Sequence, residues 1–208
     1  MSQHIFNTAE FPALVSFSDH WKTIRDEALA LERYIYPFDG TSLSYKDAAE
    51  KIAATGRAGW MKAWGPEKEK WLTFPLRYEE KTITDFLPND NSCQQITSLI
   101  KRLHGVKVAV LNILKPGGYT LIHTHPHLAE QDALIFHIGL SAPDNWHWLN
   151  VEGTFIQHRN GESFVFDGSK NHFALNFSDQ ERLILYMEFY KNKISFDESE
   201  QTLETVGK

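Results

Sequence analysis

A change of hydrophobic period at residue 106 constrains the fold of this chain more than any other feature. Val106, Val108, Val110, Asn112 and Leu114 alternate with Lys107, Ala109, Leu111 and Ile113, the period-two signature of a strand. Lys115-Pro116-Gly117-Gly118 then makes a turn. Short runs of the same kind follow at Tyr119 to Thr124, Ala133 to Ser141, His147 to Val151, Thr154 to His158, Ser163 to Phe166, His172 to Leu175 and Arg182 to Tyr190, with Pro143-Asp144-Asn145 and Asn160-Gly161 among the turns between them. Roughly eight strands with such turns describe a mainly β domain with flanking helices, a jelly roll or cupin-like barrel.

Before residue 105 the signals are helical or irregular. Ser18 or Asp19 caps an expected helix with Trp21, Ile24, Ala28 and Leu31 on one stripe, and Asp47 to Trp64 reads similarly. A third helix starts at Asn91 or Ser92, turns Ile96, Ile100 and Leu103 inward, and ends at Gly105 with His104 in its last turn. One catalytic domain over residues 1–195 is expected, its first 105 residues packing on a β core of 106–190, with 196–208 as a polar tail.

Charge and cysteine usage exclude several classes. The net charge is −6 and no run of Lys or Arg forms a basic stripe, so nucleic acid and anionic membranes are not expected partners. Cys93 is the only cysteine, which leaves no disulfide framework and no cysteine-based zinc cluster. A cytoplasmic location fits, because the first residues lack a leader pattern and no run of apolar residues is long enough for a membrane helix. A nucleophile elbow and a glycine-rich phosphate loop are both missing from the sequence.

Seven of the ten histidines fall between His123 and His172. Residues i and i+2 of a strand face the same way about 6.6 Å apart, so His123 and His125 can aim at one point inside a barrel. A distant His172 supplies a further ligand, and Arg182, ten residues on, an anchor for a carboxylate. Together they suggest a mononuclear non-haem iron site that uses an organic acid as cosubstrate.

The combination of Lys115-Pro116-Gly117, His123, His137-Ile138-Gly139-Leu140, Phe166-Asp167, His172 and Arg182-Leu183-Ile184 resembles the aspartyl/asparaginyl β-hydroxylase family of Fe(II)- and 2-oxoglutarate-dependent dioxygenases. The resemblance covers about residues 71 to 190, beginning at Trp71-Leu72-Thr73-Phe74-Pro75-Leu76. It implies a double-stranded β-helix, iron ligands at His123 and His172, an anchor for the distal 2-oxoglutarate carboxylate at Arg182, and a second cosubstrate contact at His137. Asn112 falls where the family has a small polar residue that helps the arginine. The implied reaction consumes O2 and hydroxylates a C–H bond of an amino acid, of a residue within a peptide, or of a related small metabolite.

The chain departs from that pattern at two positions. His125 stands where the family has a residue that does not bind metal, which opens a three-histidine ligand set. Ile135 replaces the family's substrate-binding arginine two residues before the His-x-Gly motif, which weakens the case for an acidic substrate. Pro126 ends the strand there, leaving His127 in a loop. Two other readings stay open: a cupin that binds metal through three histidines without 2-oxoglutarate, and a non-catalytic barrel that binds a carboxylate or a protein partner. Trp60 and Trp64 read as core on a helical face, and His147 and His158 as ordinary strand residues.

Overall fold

The computed structural model describes residues 4–39, 43–63 and 67–198. In chain order its strands are β1 (Ile5–Phe6), β2 (Ile35–Asp39), β3 (Trp60–Lys62), β4 (Trp71–Tyr78), β5 (Lys81–Thr82), β6 (Leu103–His104), β7 (Val106–Leu114), β8 (Gly118–Tyr119), β9 (Ala133–Ser141), β10 (His147–Val151), β11 (Thr154–Ile156), β12 (Ser163–Phe166), β13 (His172–Asn176), β14 (Arg182–Tyr190) and β15 (Ser195–Phe196). The α-helices are α1 (Pro12–Ser18), α2 (Trp21–Ala30), α3 (Tyr45–Thr55), α4 (Ile83–Phe86), α5 (Gln94–Arg102) and α6 (Pro126–Glu130).

A large sheet runs in the order β1-β12-β9-β14-β7-β4-β3-β2, with β5 added on β4, and a four-stranded sheet runs β11-β10-β13-β8. The protein is mostly β, a jelly roll with helices in the minority. Period two sets which face each residue takes. Ala109, Leu111 and Ile113 of β7 and Leu183, Leu185 and Met187 of β14 join Leu14, Phe17, Ile24, Ile96 and Ile100 of the helices in one core. The opposite face of the large sheet turns toward the small one, where Leu114, Ile135 and Phe166 meet Leu149, Val151 and Ala174. Each Leu, Ile, Val, Phe or Met among them contributes roughly 1.5–3 kcal/mol on leaving water, and the alanines less.

Several expectations shift by local chemistry. The helix expected from Asp47 to Trp64 stops at Thr55, where Gly56 takes the left-handed φ of +67° that closes a helix. Trp60 therefore lies on β3 rather than on a helix, fully buried, and its indole N–H donates to the Glu32 carbonyl at 3.2 Å; Trp64 lies outside the described residues. The last turn expected to hold His104 is instead β6, paired with β15. Gly105 makes that junction: its φ is +76°, and a Cβ there would sit 2.6 Å from the Lys193 carbonyl carbon. Phe196 packs against the core and the Ser16 hydroxyl donates to Glu198 at 2.9 Å, so the chain stays attached past Ser195.

The strand expected from Tyr119 to Thr124 is short, with β8 ending at Tyr119 and His123 forming a separate bridge to His172. β11 likewise ends at Ile156, two residues before His158. Pro126 starts α6 at its first position, where the missing N–H costs nothing. His127 is thus helical, not in a loop.

Candidate metal and carboxylate site

A cavity of about 730 Å³ opens between the two sheets, and His123, His125, His172, His137, Arg182 and Asn112 all line it. The structure thus brings every site residue read from the sequence to one place. His123 and His172 face each other across the bridge, exchanging backbone hydrogen bonds of 3.0 Å in both directions, so their side chains leave the same face. Their ring centroids lie 4.2 Å apart, and His125 lies 5.2 Å and 5.3 Å from them. One ring nitrogen from each of the three falls within 4.8 Å of the others, close enough to hold a metal ion.

The tautomers of two of these rings are fixed. His123 Nδ1 lies 2.7 Å from the Leu121 carbonyl and His172 Nδ1 lies 2.8 Å from the Lys170 carbonyl. A carbonyl only accepts, so both Nδ1 atoms carry the proton and both Nε2 atoms keep a lone pair. The ring of His125 has no such lock; only its backbone N–H is held, by Gly168 at 2.8 Å. Burial lowers the pKa of all three, to about 3 for His125 and about 4 for His172. For His123 and His172 the carbonyl bond opposes that shift in part. All three are neutral at pH 7, the form that binds metal.

A second group shares His125. His127 Nε2 stands 3.6 Å from Glu188 Oε2, and Glu188, with no exposed surface, accepts from the Tyr186 hydroxyl at 2.8 Å. His125, His127 and Glu188 also bring donor atoms within 4.8 Å of one another. Sequence reasoning missed Glu188. Its signal was an acid in an apolar strand, on the same parity as Arg182 and Tyr186.

Arg182 lies on the inner face of β14, 4% exposed. Its Nε and Nη1 have no hydrogen-bond partner, and no carboxylate pairs with it among the described residues. Burial lowers its pKa to about 10, which still leaves it charged at pH 7. Such a guanidinium costs several kcal/mol unless an anion meets it. Around it gather three buried imidazoles. His137 Nδ1 is 3.0 Å from His158 Nε2, and His147 Nε2 is 2.9 Å from the His158 carbonyl. Burial first, and then the charge of Arg182, holds His137 and His158 well below the ordinary imidazole value. His137 Nε2 has no partner either.

The sequence presents His147 and His158 as ordinary strand residues, whereas in the fold both are buried within electrostatic reach of the arginine. A signal existed. The β10–β11 register pairs Leu149 with Ile156 and Val151 with Thr154, and extending it by one step sets His147 opposite His158. Asn112 is 8% exposed and accepts from the Trp71 indole at 3.4 Å, so its face of β7 lines the cavity rather than meeting bulk solvent. Ile135 is fully buried in the inner core. Cys93 is also buried, its thiol pushed up to about 12 by desolvation, which removes it as a nucleophile.

The model of the family described as aspartyl/asparaginyl beta-hydroxylase matches residues 18–192. The ornithine lipid ester-linked acyl 2-hydroxylase of Rhizobium tropici is 26% identical over 105 residues, which make up 50% of this chain and 36% of that protein. The chain thus matches about a third of the length of that curated relative. Among solved structures, the cupin_2 domain of an XRE family transcriptional regulator from Enterobacter cloacae superposes with a TM-score of 0.38 at 17% identity, over 58% of this chain and 97% of that one. KdgF from Halomonas sp. gives a TM-score of 0.39 at 12% identity, over 62% of this chain and 84% of that one. No helix among the described residues is long and apolar enough to cross a membrane.

Proposed function

The chain belongs to the aspartyl/asparaginyl β-hydroxylase family, and we propose that it is a ferrous-iron- and 2-oxoglutarate-dependent dioxygenase that hydroxylates a C–H bond. One observation carries this reading: a buried, charged and unpartnered Arg182 shares a cavity with three neutral histidines whose ring nitrogens converge. The donor set suits ferrous iron, and the unpaired guanidinium suits one end of a dicarboxylate. When bound, iron and 2-oxoglutarate supply the activation of O2, with succinate and CO2 released as the substrate C–H becomes C–OH.

The chain's own residues do the positioning. His123 and His172 present free Nε2 atoms on rings already held through Nδ1–H by backbone carbonyls, which lessens the reorganisation needed on binding. Arg182 offers the N–H groups of Nε and Nη1 to the distal carboxylate. His137 offers a second contact through Nε2, and Asn112 lines the same cavity wall. Burial keeps His137 neutral beside Arg182, so the anchor stays a single charge matched to a single carboxylate. Phe166 and Ile184 add apolar wall around the histidines and exclude water.

In this reading the substrate is a small molecule, a peptide residue or a lipid-like metabolite. The buried Ile135 argues against an acidic one, since no cation stands there to receive it. The acyl hydroxylase named among the relatives keeps a lipid within range. The catalytic unit is a single domain that includes the attached segment through Glu198, and the free Cys93 suits a reducing, cytoplasmic compartment. A second reading, a three-histidine cupin without 2-oxoglutarate, is favoured by His125 standing within donor range.

Anaerobic titration of the ferrous protein with 2-oxoglutarate separates the two. A visible metal-to-ligand charge-transfer band supports the dioxygenase. Bound iron without that band transfers the assignment to the cupin reading.

A further inference from the structure

The cavity is larger than iron and a five-carbon dicarboxylate need, and most of the remaining wall is apolar. Away from the histidines its walls include Val108 and Val110 of β7, Met61 of β3 and Ala48 of α3, with Ser44, Thr73 and Tyr78 the polar residues among them. Beyond them lies a second, narrower cavity of about 80 Å³. Met61, Thr73, Tyr78, Val108 and Val110 line both, so the two adjoin. The far end of the annex is closed by Ala49 and Ile52 of α3 and by Ile83 and Phe86 of α4.

The annex offers little to a polar group. Arg77 touches it, yet its Nε donates to the Glu79 carbonyl at 2.7 Å and its Nη1 to the Ile100 and Leu103 carbonyls at 3.1 and 3.3 Å. An amide or hydroxyl buried there would lose water and gain little, at a cost of a few kcal/mol. Its small volume also favours a slender group over a bulky one. An unbranched hydrocarbon suits both limits, and Met61 at the junction has the flexibility to let one pass.

We propose that this cavity system is a binding site for an unbranched acyl chain. The tail lies in the annex between α3, α4 and β4, and a methylene nearer the polar end lies beside His123 and His172. This names a substrate class for the dioxygenase and rests on that reading of the histidine site. The polar end faces the surface segment 121–127, where Leu121 and Ile122 are 52% and 68% exposed, so the head group needs no buried partner.

The test uses the metal-free protein and calorimetric titration with monoacylglycerols of increasing chain length. Their uncharged head does not compete for Arg182. Affinity should rise roughly fourfold per methylene up to a limiting length set by the annex. Ala49→Phe, which fills the annex without touching the histidine cavity, should shorten that limit. Phe86→Ala should lengthen it, a gain that misfolding does not produce. Affinity indifferent to chain length, or limits that stay put in both variants, overturns the proposal. The ferrous 2-oxoglutarate titration is run on the same preparations. Acyl binding without the charge-transfer band retains the annex and rejects the dioxygenase, and the band without length-dependent binding does the reverse. Should Ala49→Phe lose both signals it has misfolded, and Phe86→Ala decides alone.

Discussion

Two histidine clusters, one lining the cavity and one behind its wall with only His137 reaching it, are built for opposite ends. His123 and His125, half-buried, and the buried His172 bring one ring nitrogen each within 4.8 Å of the others at the cavity rim. His137, His147 and His158 are packed inside, bonded to one another or to backbone, around a guanidinium. The same side chain offers a free electron pair to the cavity in the first and is a neutral spacer in the second. What separates them is which ring nitrogen the backbone occupies: in the rim pair a carbonyl takes the Nδ1 proton and leaves Nε2 facing the cavity.

The largest expected effect comes from deleting a rim donor. His172→Ala should abolish ferrous binding, read by metal analysis after dialysis, and tight iron retained in that variant would falsify the ligand assignment. Arg182→Met probes the interior. Cosubstrate affinity should fall roughly 100-fold or more, while the ligand-free protein gains about 1–3 kcal/mol in denaturant unfolding, because a buried unpaired charge is gone. A loss of stability instead would mean the guanidinium already has a partner.

His125→Ala sharpens the line within the rim. Lacking the carbonyl lock of its neighbours, His125 is expected to support rather than define the metal site. Iron affinity should drop roughly 10–100-fold with the charge-transfer band preserved; complete loss of iron would make it a full ligand. The smallest effect is acid lability of the interior. His137 and His158 resist protonation when folded, whereas unfolded imidazoles take up protons near 6.5. Below that pH the unfolded state binds more protons, so stability falls on acidification by up to about 1.4 kcal/mol per pH unit for each such group. Above it these groups contribute no slope. Denaturant midpoints between neutral and mildly acidic pH measure the slope, and His158→Gln should reduce it.

Much of this was legible in the chain. The long strands β7, β9 and β14, and the shorter β10 and β12, were read with their observed ends, because period two persists wherever a sheet has two chemically distinct faces. The first 105 residues were harder: Gly56 turns the backbone where hydrophobic spacing alone continues a helix, and Leu103–His104 leave α5 to pair with β15, a distant strand that local spacing does not reveal. The rim histidines were readable from spacing and from the family resemblance. The isolation of Arg182 was not, since pairing and burial emerge only when distant strands meet. Glu188 escaped for the same reason, its partner His127 lying on a helix that Pro126 starts.

The position of β14 has a consequence for how the protein is made. It pairs with β7 on one side and β9 on the other, so the widest sheet has a missing central stave until residue 190 leaves the ribosome. Until then β7 and β9 carry apolar faces with no neighbour between them. Everything through residue 190 must be synthesised before the barrel can close, which makes the nascent protein dependent on protection from aggregation until β14 emerges.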